Sequence, residues 1–437
     1  MATMQKHHLG QGAAAALESG GQVLPWTRYR RTSCRGCAGR DLPVVLSLGK
    51  MPLANAFLDS PDQFADEPAY DLDLHFCPAC SLVQLTEVIH PEALFRNYVY
   101  VTGFADTIVE HNRAYAAAVG NQLHLSASDL VLEIASNDGS LLKCFREMGV
   151  RTLGVEPALN IAEAARQAGI ETVPEFFNSH LAPRLRASYG PAKAVIGNNV
   201  LAHVDDTLDF LTGCAHMLDK GGLVITEFPY LRDFIDRLEY DTIYHEHLCY
   251  FSVNSLLRLC DAAGLVIVRI DRSRIHGGSI RMYAGRKEEV GGSSPEVLEL
   301  AREERELGLA DLARFRQFAA DVGKTRAALL ELLEKLRRDG KTVAAYGAPA
   351  KGNTLLNYCG IDTRRIAFTV DRNPWKVGKF TPGMHIPVLP VSALLERRPD
   401  YVVILAWNFA EEIMAQQQSF RDAGGRFIIP IPVPVIV

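Results

Sequence analysis

The chain has 437 residues, 48% hydrophobic and 22% charged, with a formal net charge of −5. That length holds two or three domains, each able to bury a core, and the mildly acidic balance excludes a general nucleic-acid binder, which needs a basic face. No apolar run approaches the roughly 18 residues of a membrane span and no signal-peptide pattern is present, so the expectation is a cytoplasmic enzyme without nucleic-acid or membrane partners, a monomer or weak homo-oligomer.

Residues 1–27 are rich in Gly, Ala, His and Gln without a sustained period, and read as a flexible tail. Residues 28–90 form the first compact unit, organised by Cys34-Arg35-Gly36-Cys37 and Cys77-Pro78-Ala79-Cys80. Two C-x-x-C pairs, each offering two thiolates from one turn, are what a closed tetrahedral Cys₄ zinc site needs. With all four positions cysteine, no coordination place stays open, so the metal is structural. The chain between the pairs must fold back as a small lobe, with His75 a bystander. The other five of the nine cysteines are scattered in apolar surroundings, which suits a reducing compartment and metal rather than disulfides. Beyond the lobe, Tyr98 and Tyr100 alternate in an extended stretch, so both project to one side. They either pack this linker onto the next domain or reach into its site.

From 91 to 290 strand and helix patterns alternate, with strands expected at 130–134, 152–155, 194–198, 222–227, 266–271 and 280–284, and helices at 162–168 and 253–263 among others. The first strand ends in Glu133-Ile134-Ala135-Ser136-Asn137-Asp138-Gly139, and a second apolar run ends in Glu156. An acid there can accept hydrogen bonds from both hydroxyls of a ribose. A nicotinamide fingerprint would need GxGxxG, and this turn has one glycine. The pattern Glu-x-Ala-x-x-x-Gly resembles instead the S-adenosylmethionine loop of class I methyltransferases, with Ala135 where glycine is commoner. Gly197-Asn198-Asn199-Val200-Leu201-Ala202-His203 closes the next strand, where residues lie beside the methyl donor; His203 is either part of the site or a satisfied core histidine.

Residues 291–340 are strongly helical, with interleaved Glu and Arg, and read as a bridge; a coiled-coil dimer is the alternative, weakened by an unsustained heptad. Residues 341–437 repeat the strand–turn–helix scheme, with strands at 342–346, 366–370, 401–405 and 426–429. The turn Gly347-Ala348-Pro349-Ala350-Lys351-Gly352-Asn353 offers backbone donors, a lysine and an amide for an anion. The fold expected is thus α/β: a small N-terminal zinc-binding lobe, a central Rossmann-like class I methyltransferase domain and a second Rossmann-like α/β domain that binds nucleotide.

Tyr244-His245-Glu246-His247 is the most unusual run in the chain. Zinc-protease helices place histidines at i and i+4, whereas here they stand at i and i+2, so an acid/base cluster fits better than a metal site. Downstream, His276-Gly277-Gly278-Ser279-Ile280-Arg281 allows close backbone approach and adds a cation.

The zinc lobe, E-I-A-S-N-D-G, N-N-V-L-A-H, Y-H-E-H, H-G-G-S-I-R and Y-G-A-P-A-K-G-N-T occur in this order. Together they resemble the zinc-containing sugar C-methyltransferases of antibiotic deoxysugar pathways over about residues 30 to 437. The resemblance implies methylation at carbon 3 of a dTDP-4-keto-deoxysugar, with S-adenosyl-L-methionine in the middle domain and the thymidine nucleotide toward the C-terminal lobe. It also implies His247 as base, Glu246 orienting substrate or base, Tyr244 and His203 at the ketone, and Tyr98 reaching in from the zinc lobe. That family more often reads Tyr-Asp-Glu-His; the extra imidazole at His245 leaves His247, His245 and His203 as candidate bases. Glu133, Ala135, Ser136, Asn137, Asp138, Gly139, Glu156, Asn198 and Asn199 would hold the cofactor; Tyr100, His276, Gly277, Arg281, Lys351 and Asn353 would hold the substrate. The same architecture acting on another nucleotide-linked or acidic acceptor, possibly at oxygen, is the alternative. A non-catalytic scaffold fits poorly with an intact Tyr–His–Glu–His run, and a nicotinamide-dependent sugar oxidoreductase lacks its fingerprint.

Overall fold

A computed structural model of the chain describes residues 28–96, 106–273 and 278–437; the tail 1–27, Tyr98, Tyr100, His276 and Gly277 lie outside the described residues. The N-terminal lobe contains β1 (Arg28–Arg30), β2 (Val44–Met51), β3 (Tyr70–Phe76), β4 (Val83–Leu85) and β5 (Glu87–Ile89). The central unit contains β6 (Leu130–Ile134), β7 (Arg151–Val155), β8 (Thr172–Val173), β9 (Ala192–Asn198), β10 (Leu218–Pro229), β11 (Cys249–Tyr250), β12 (Leu265–Ser273) and β13 (Ser279–Arg286).

Seven of these strands form the central sheet in the order β12-β13-β10-β9-β6-β7-β8. From β10 to β8 neighbours run parallel, and β13 pairs antiparallel with both β10 and β12. All five residues of β6 are buried, as expected of a parallel strand covered by helices on both faces. The chain leaves β6 toward β7 on one side and reaches β9 on the other. The crevice beyond the carboxyl ends of β6 and β9 is therefore the topological switch point, where open α/β sheets bind ligands.

The eleventh strand is the part that apolar patterning does not announce. It belongs by sequence to the central unit, yet it pairs with β4, extending the N-terminal sheet to the order β11-β4-β3-β2. The segment just after Tyr244–His247 is thus built into the zinc lobe.

The C-terminal unit contains β14 (Val343–Tyr346), β15 (Thr369–Val370), β16 (Val388–Leu389), β17 (Tyr401–Ile404), β18 (Arg426–Ile429) and β19 (Val435–Ile436), in the order β16-β15-β14-β17-β18-β19. All but the last edge strand are parallel. It is a second Rossmann-like sheet.

The expected bridge is two helices, Pro295–Glu306 and Leu312–Arg338. The second, 27 residues long, spans about 40 Å at 1.5 Å per residue. Its apolar face is consumed within the chain. Phe315 packs on Phe76 of the zinc lobe, Phe318 on Phe234 of the central unit, and Arg326 donates to the Tyr358 carbonyl of the C-terminal unit. With that face covered, little seam remains for a coiled-coil partner.

Glu304, at the end of the first bridge helix, is fully buried. Its carboxylate accepts from Tyr230 Oη (2.8 Å), Val253 N (2.6 Å), Asn254 N (3.0 Å) and Asn254 Nδ2 (2.7 Å). Two of those donors are the free first-turn amides of the helix Val253–Ala262, whose positive end favours an anion. Glu304→Ala strands all four donors in the interior. The expected loss is about 3 kcal/mol of stability, read from the urea midpoint.

Candidate active site

The loop after β6 is held in an unusual backbone path. Ala135 (φ 54°), Asn137 (φ 48°) and Gly139 (φ 76°) all lie in the left-handed region. This explains why glycine is the commoner residue at position 135: alanine tolerates that conformation at about 1 kcal/mol of strain. At Gly139 a side chain is excluded twice, by its φ and by Ile170, whose Cγ1 would lie 2.8 Å from an added Cβ. Gly139→Ala is expected to weaken S-adenosylhomocysteine binding about tenfold or more in calorimetric titration, since the loop must shift by more than a side-chain adjustment. Asp138 Oδ1 accepts from Ser140 N and Oγ (3.2 and 2.6 Å), opening the helix Ser140–Glu147.

Glu156 accepts from Asn137 N (2.9 Å) through one oxygen and from Ala158 N (2.8 Å) through the other. It therefore pins the loop to the end of β7 and keeps one further lone pair per oxygen for a ribose hydroxyl. Beside it, Glu133 is buried with Oε2 lacking a hydrogen-bond partner, as does Ser136 Oγ. Burial, with Asp138 and Glu156 nearby, pushes the Glu133 carboxyl well above the usual range. Three acids around one crevice and two unsatisfied buried oxygens suit a ligand that is cationic and rich in donors. S-adenosylmethionine, with its sulfonium, ammonium and ribose hydroxyls, is such a ligand.

Across the crevice Asn198 Oδ1 accepts from Tyr115 Oη (3.3 Å), and Asn199 N donates to the Glu227 carbonyl (2.7 Å). Arg281 does not extend toward open space. It pairs with Glu227 Oε2 (2.6 Å), its opposite neighbour across β10 and β13, and lies 3.7 Å over the Tyr115 ring.

The Tyr244–His247 run is a turn closed by His247 N donating to the Tyr244 carbonyl (2.8 Å). His247 Nδ1 lies 2.9 Å from the Thr242 carbonyl, which can only accept. The neutral ring therefore carries its proton on Nδ1 and turns the Nε2 lone pair to Tyr244 Oη, 2.7 Å away. His203 meets His247 edge-on, ring centres 4.8 Å apart. Burial holds the His203 imidazole down at about 4, so it is neutral near pH 7. Glu246 is buried and pushed up to about 7 by desolvation, with a hydrogen bond from Asn55 opposing. His245 faces the other way: its Nε2 lies 3.3 Å from the Asp71 carbonyl of β3 and its ring stands edge-on to Tyr70. The structure thus groups Tyr244, His247 and His203, places Glu246 on Asn55, and sends His245 into the zinc lobe.

The four zinc-lobe cysteines offer sulfurs that all lie within 4.8 Å of one another, with Cys34–Cys80 and Cys37–Cys77 at 3.5 Å. Thiolates on one zinc at about 2.3 Å stand about 3.8 Å apart, so the donor set fits that ion. A disulfide would require about 2.05 Å. Arg35, inside the first C-x-x-C, pairs with Asp205 (3.0 Å), as does Arg31 (3.0 Å). The zinc knuckle thereby grips the loop that carries His203.

Three sequence-family models match consecutive stretches: a zinc binding domain over residues 34–95, a methyltransferase domain over 108–270 and a C-methyltransferase C-terminal domain over 274–432. The C-methyltransferase NovU of Streptomyces niveus is 38% identical over 404 residues, 92% of this chain and 96% of its own. The chain belongs to the NovU-like C-methyltransferase family. It is an S-adenosylmethionine-dependent C-methyltransferase with a Cys₄ zinc site. Among solved structures, magnesium protoporphyrin IX methyltransferase of Synechocystis PCC 6803 is 18% identical over 41% of this chain and 78% of its own, TM-score 0.31. The CcbJ methyltransferase of Streptomyces caelestis is 15% identical over 40% and 89%, TM-score 0.32. No helix among the described residues is long and apolar enough to cross a membrane.

In this NovU-like chain the glycine-containing turn of the C-terminal unit follows β14, pinned by Ala348 N donating to Asp371 (2.8 Å). Lys351 Nζ lies 3.9 Å from Glu239 and 5.3 Å over the Trp407 ring. Asn353 Nδ2 donates to the Ala54 carbonyl of the zinc lobe (2.7 Å), with its Oδ1 buried and unpartnered. Lys351 and Asn353, expected to hold substrate, are thus engaged by Glu239, Trp407 and Ala54, whereas Asn55, Asp205, Glu239 and Trp407 carried no expectation. None of them sits in a motif; each matters through a partner far along the chain.

Proposed function

We propose that the enzyme methylates carbon 3 of a dTDP-linked 4-keto-deoxysugar through an enolate. The observation that carries this reading is the His247 imidazole: Nδ1 held by the Thr242 carbonyl, Nε2 basic and facing Tyr244. A proton next to a ketone is acidic enough to abstract when the enolate oxygen is stabilised. His247 Nε2 takes that proton, the C–H electrons move into the enolate, and the Tyr244 hydroxyl turns to donate to its oxygen. His203, neutral at working pH, shapes the wall against His247, and Glu246 orients the sugar. When bound, S-adenosylmethionine would supply an electrophilic methyl to carbon 3 of the enolate, the carbon–sulfur bond breaking as the carbon–carbon bond forms. Glu133, Ser136 and Glu156 hold it at the end of β6, with Ala135, Asn137, Asp138, Gly139, Asn198 and Asn199 shaping the cradle.

The nucleotide half of the substrate is assigned to the second Rossmann-like sheet, where Lys351 and the amides after β14 offer a seat for phosphate. The test is mass spectrometry of products from a panel of dTDP-4-keto sugars incubated with S-adenosylmethionine. At least one member should gain the mass of a methylene. No gain across the panel, with S-adenosylhomocysteine still bound, overturns the acceptor.

A further inference from the structure

We propose that Asn55, carried to the active site by the zinc lobe, is a positioning residue that fixes which oxygen of Glu246 faces the reacting groups. Its Nδ2 donates to Glu246 Oε1 at 2.7 Å, across a sequence separation of 191 residues. Asn55 stands in the turn after β2, which the C-terminal unit holds at three points. Ala54 accepts from Asn353 of the C-terminal unit, Leu58 bridges antiparallel to Phe380, and Lys376 lies 5.3 Å over the Phe57 ring. A turn fixed at so many points delivers its carboxamide to one place. Holding Oε1 with a neutral donor leaves Oε2 as the oxygen that exchanges a proton or meets substrate. This also gives the zinc lobe a direct part in the chemistry, since the lobe's own fold presents Asn55. The inference rests on the reading of Glu246 as a member of the active site.

The charge state of Glu246 reports the contact. Burial pushes the carboxyl up to about 7 while the Asn55 hydrogen bond favours its ionised form. In the zinc-loaded full chain with S-adenosylhomocysteine bound, the Glu246 carboxyl band can be followed by infrared difference spectroscopy across pH and assigned by its loss in Glu246→Gln. Asn55→Ala should raise its midpoint by about one pH unit. Asn55→Asp, nearly the same shape, should raise it further, because two carboxylates in contact cannot both ionise. The acid limb of kcat on a dTDP-4-keto-6-deoxyhexose should move with the midpoint while KM stays within about twofold. An unmoved midpoint in Asn55→Asp, with zinc content and Tm as in the wild type, overturns the inference. Wild-type turnover in Glu246→Gln instead overturns the underlying reading of Glu246. An inactive Glu246→Gln beside an unmoved Asn55→Asp midpoint defeats the Asn55 role alone.

Discussion

His247→Asn should lower the rate of methyl transfer by about 10²- to 10⁴-fold, the usual contribution of a general base, while binding of S-adenosylhomocysteine and of dTDP stays nearly intact. Asparagine is the informative replacement. Its carboxamide can still donate to the Thr242 carbonyl, as Nδ1 does, so the turn keeps its hydrogen bond. What it lacks is a basic nitrogen facing Tyr244. Single-turnover rates and calorimetric titration on the same preparation separate the two effects. A variant that keeps near-wild-type rate moves the base elsewhere. His203, its ring centre 4.8 Å from that of His247, is then the next candidate, ahead of His245, which is turned toward Asp71 and Tyr70.

Removing zinc should have an equally large effect on turnover and a smaller one on cofactor binding. Structural zinc in small domains contributes about 10 kcal/mol or more to folding. Here the metal site organises a four-stranded sheet that includes β11, the strand directly after His247. Leu85 N donates to the Leu248 carbonyl and Leu248 N to the Ala202 carbonyl, tying zinc lobe, Tyr–His run and His203 loop in series. Arg31 and Arg35 add their grip on Asp205. Loss of the lobe thus releases Asn55, the His203 loop and the register of Tyr244 to His247 together. Cys80→Ser, or a strong chelator, should abolish methyl transfer while S-adenosylhomocysteine still binds the central sheet, with affinity reduced by about tenfold or less. Full activity in a preparation shown to be zinc-free contradicts this coupling.

How much of this was legible in the sequence depended on the range of the interactions. The Cys₄ site could be read because its spacing alone brings two thiolates to each turn. The cofactor loop was legible because an apolar run, an acid and a glycine are all local, and each expected strand of the central sheet has its counterpart. The antiparallel placement of β13 between β10 and β12 and the exchange of β11 into the zinc lobe were not legible. Both are set by pairing between distant segments whose apolar patterns would fit either sheet. His245 shows the same limit at one residue. It stands two positions from His247 and shares its chemistry, yet the two point to different lobes because the turn closes between Tyr244 and His247. The pairing of Arg281, expected at the substrate, with its cross-strand neighbour Glu227 was likewise not legible. Asn55 carried no signal at all, being one amide in a turn far from Glu246 in sequence.

Carbon methylation of a nucleotide-bound keto-sugar can be read directly by nuclear magnetic resonance of the product formed from a dTDP-4-keto-deoxysugar and S-adenosylmethionine carrying a ¹³C methyl. The expected product shows a one-bond carbon–carbon coupling between the new methyl and carbon 3 of a ¹³C-labelled sugar, with the carbon 3 proton that is abstracted gone. A labelled methyl attached to oxygen, or to any ring carbon other than carbon 3, would contradict it.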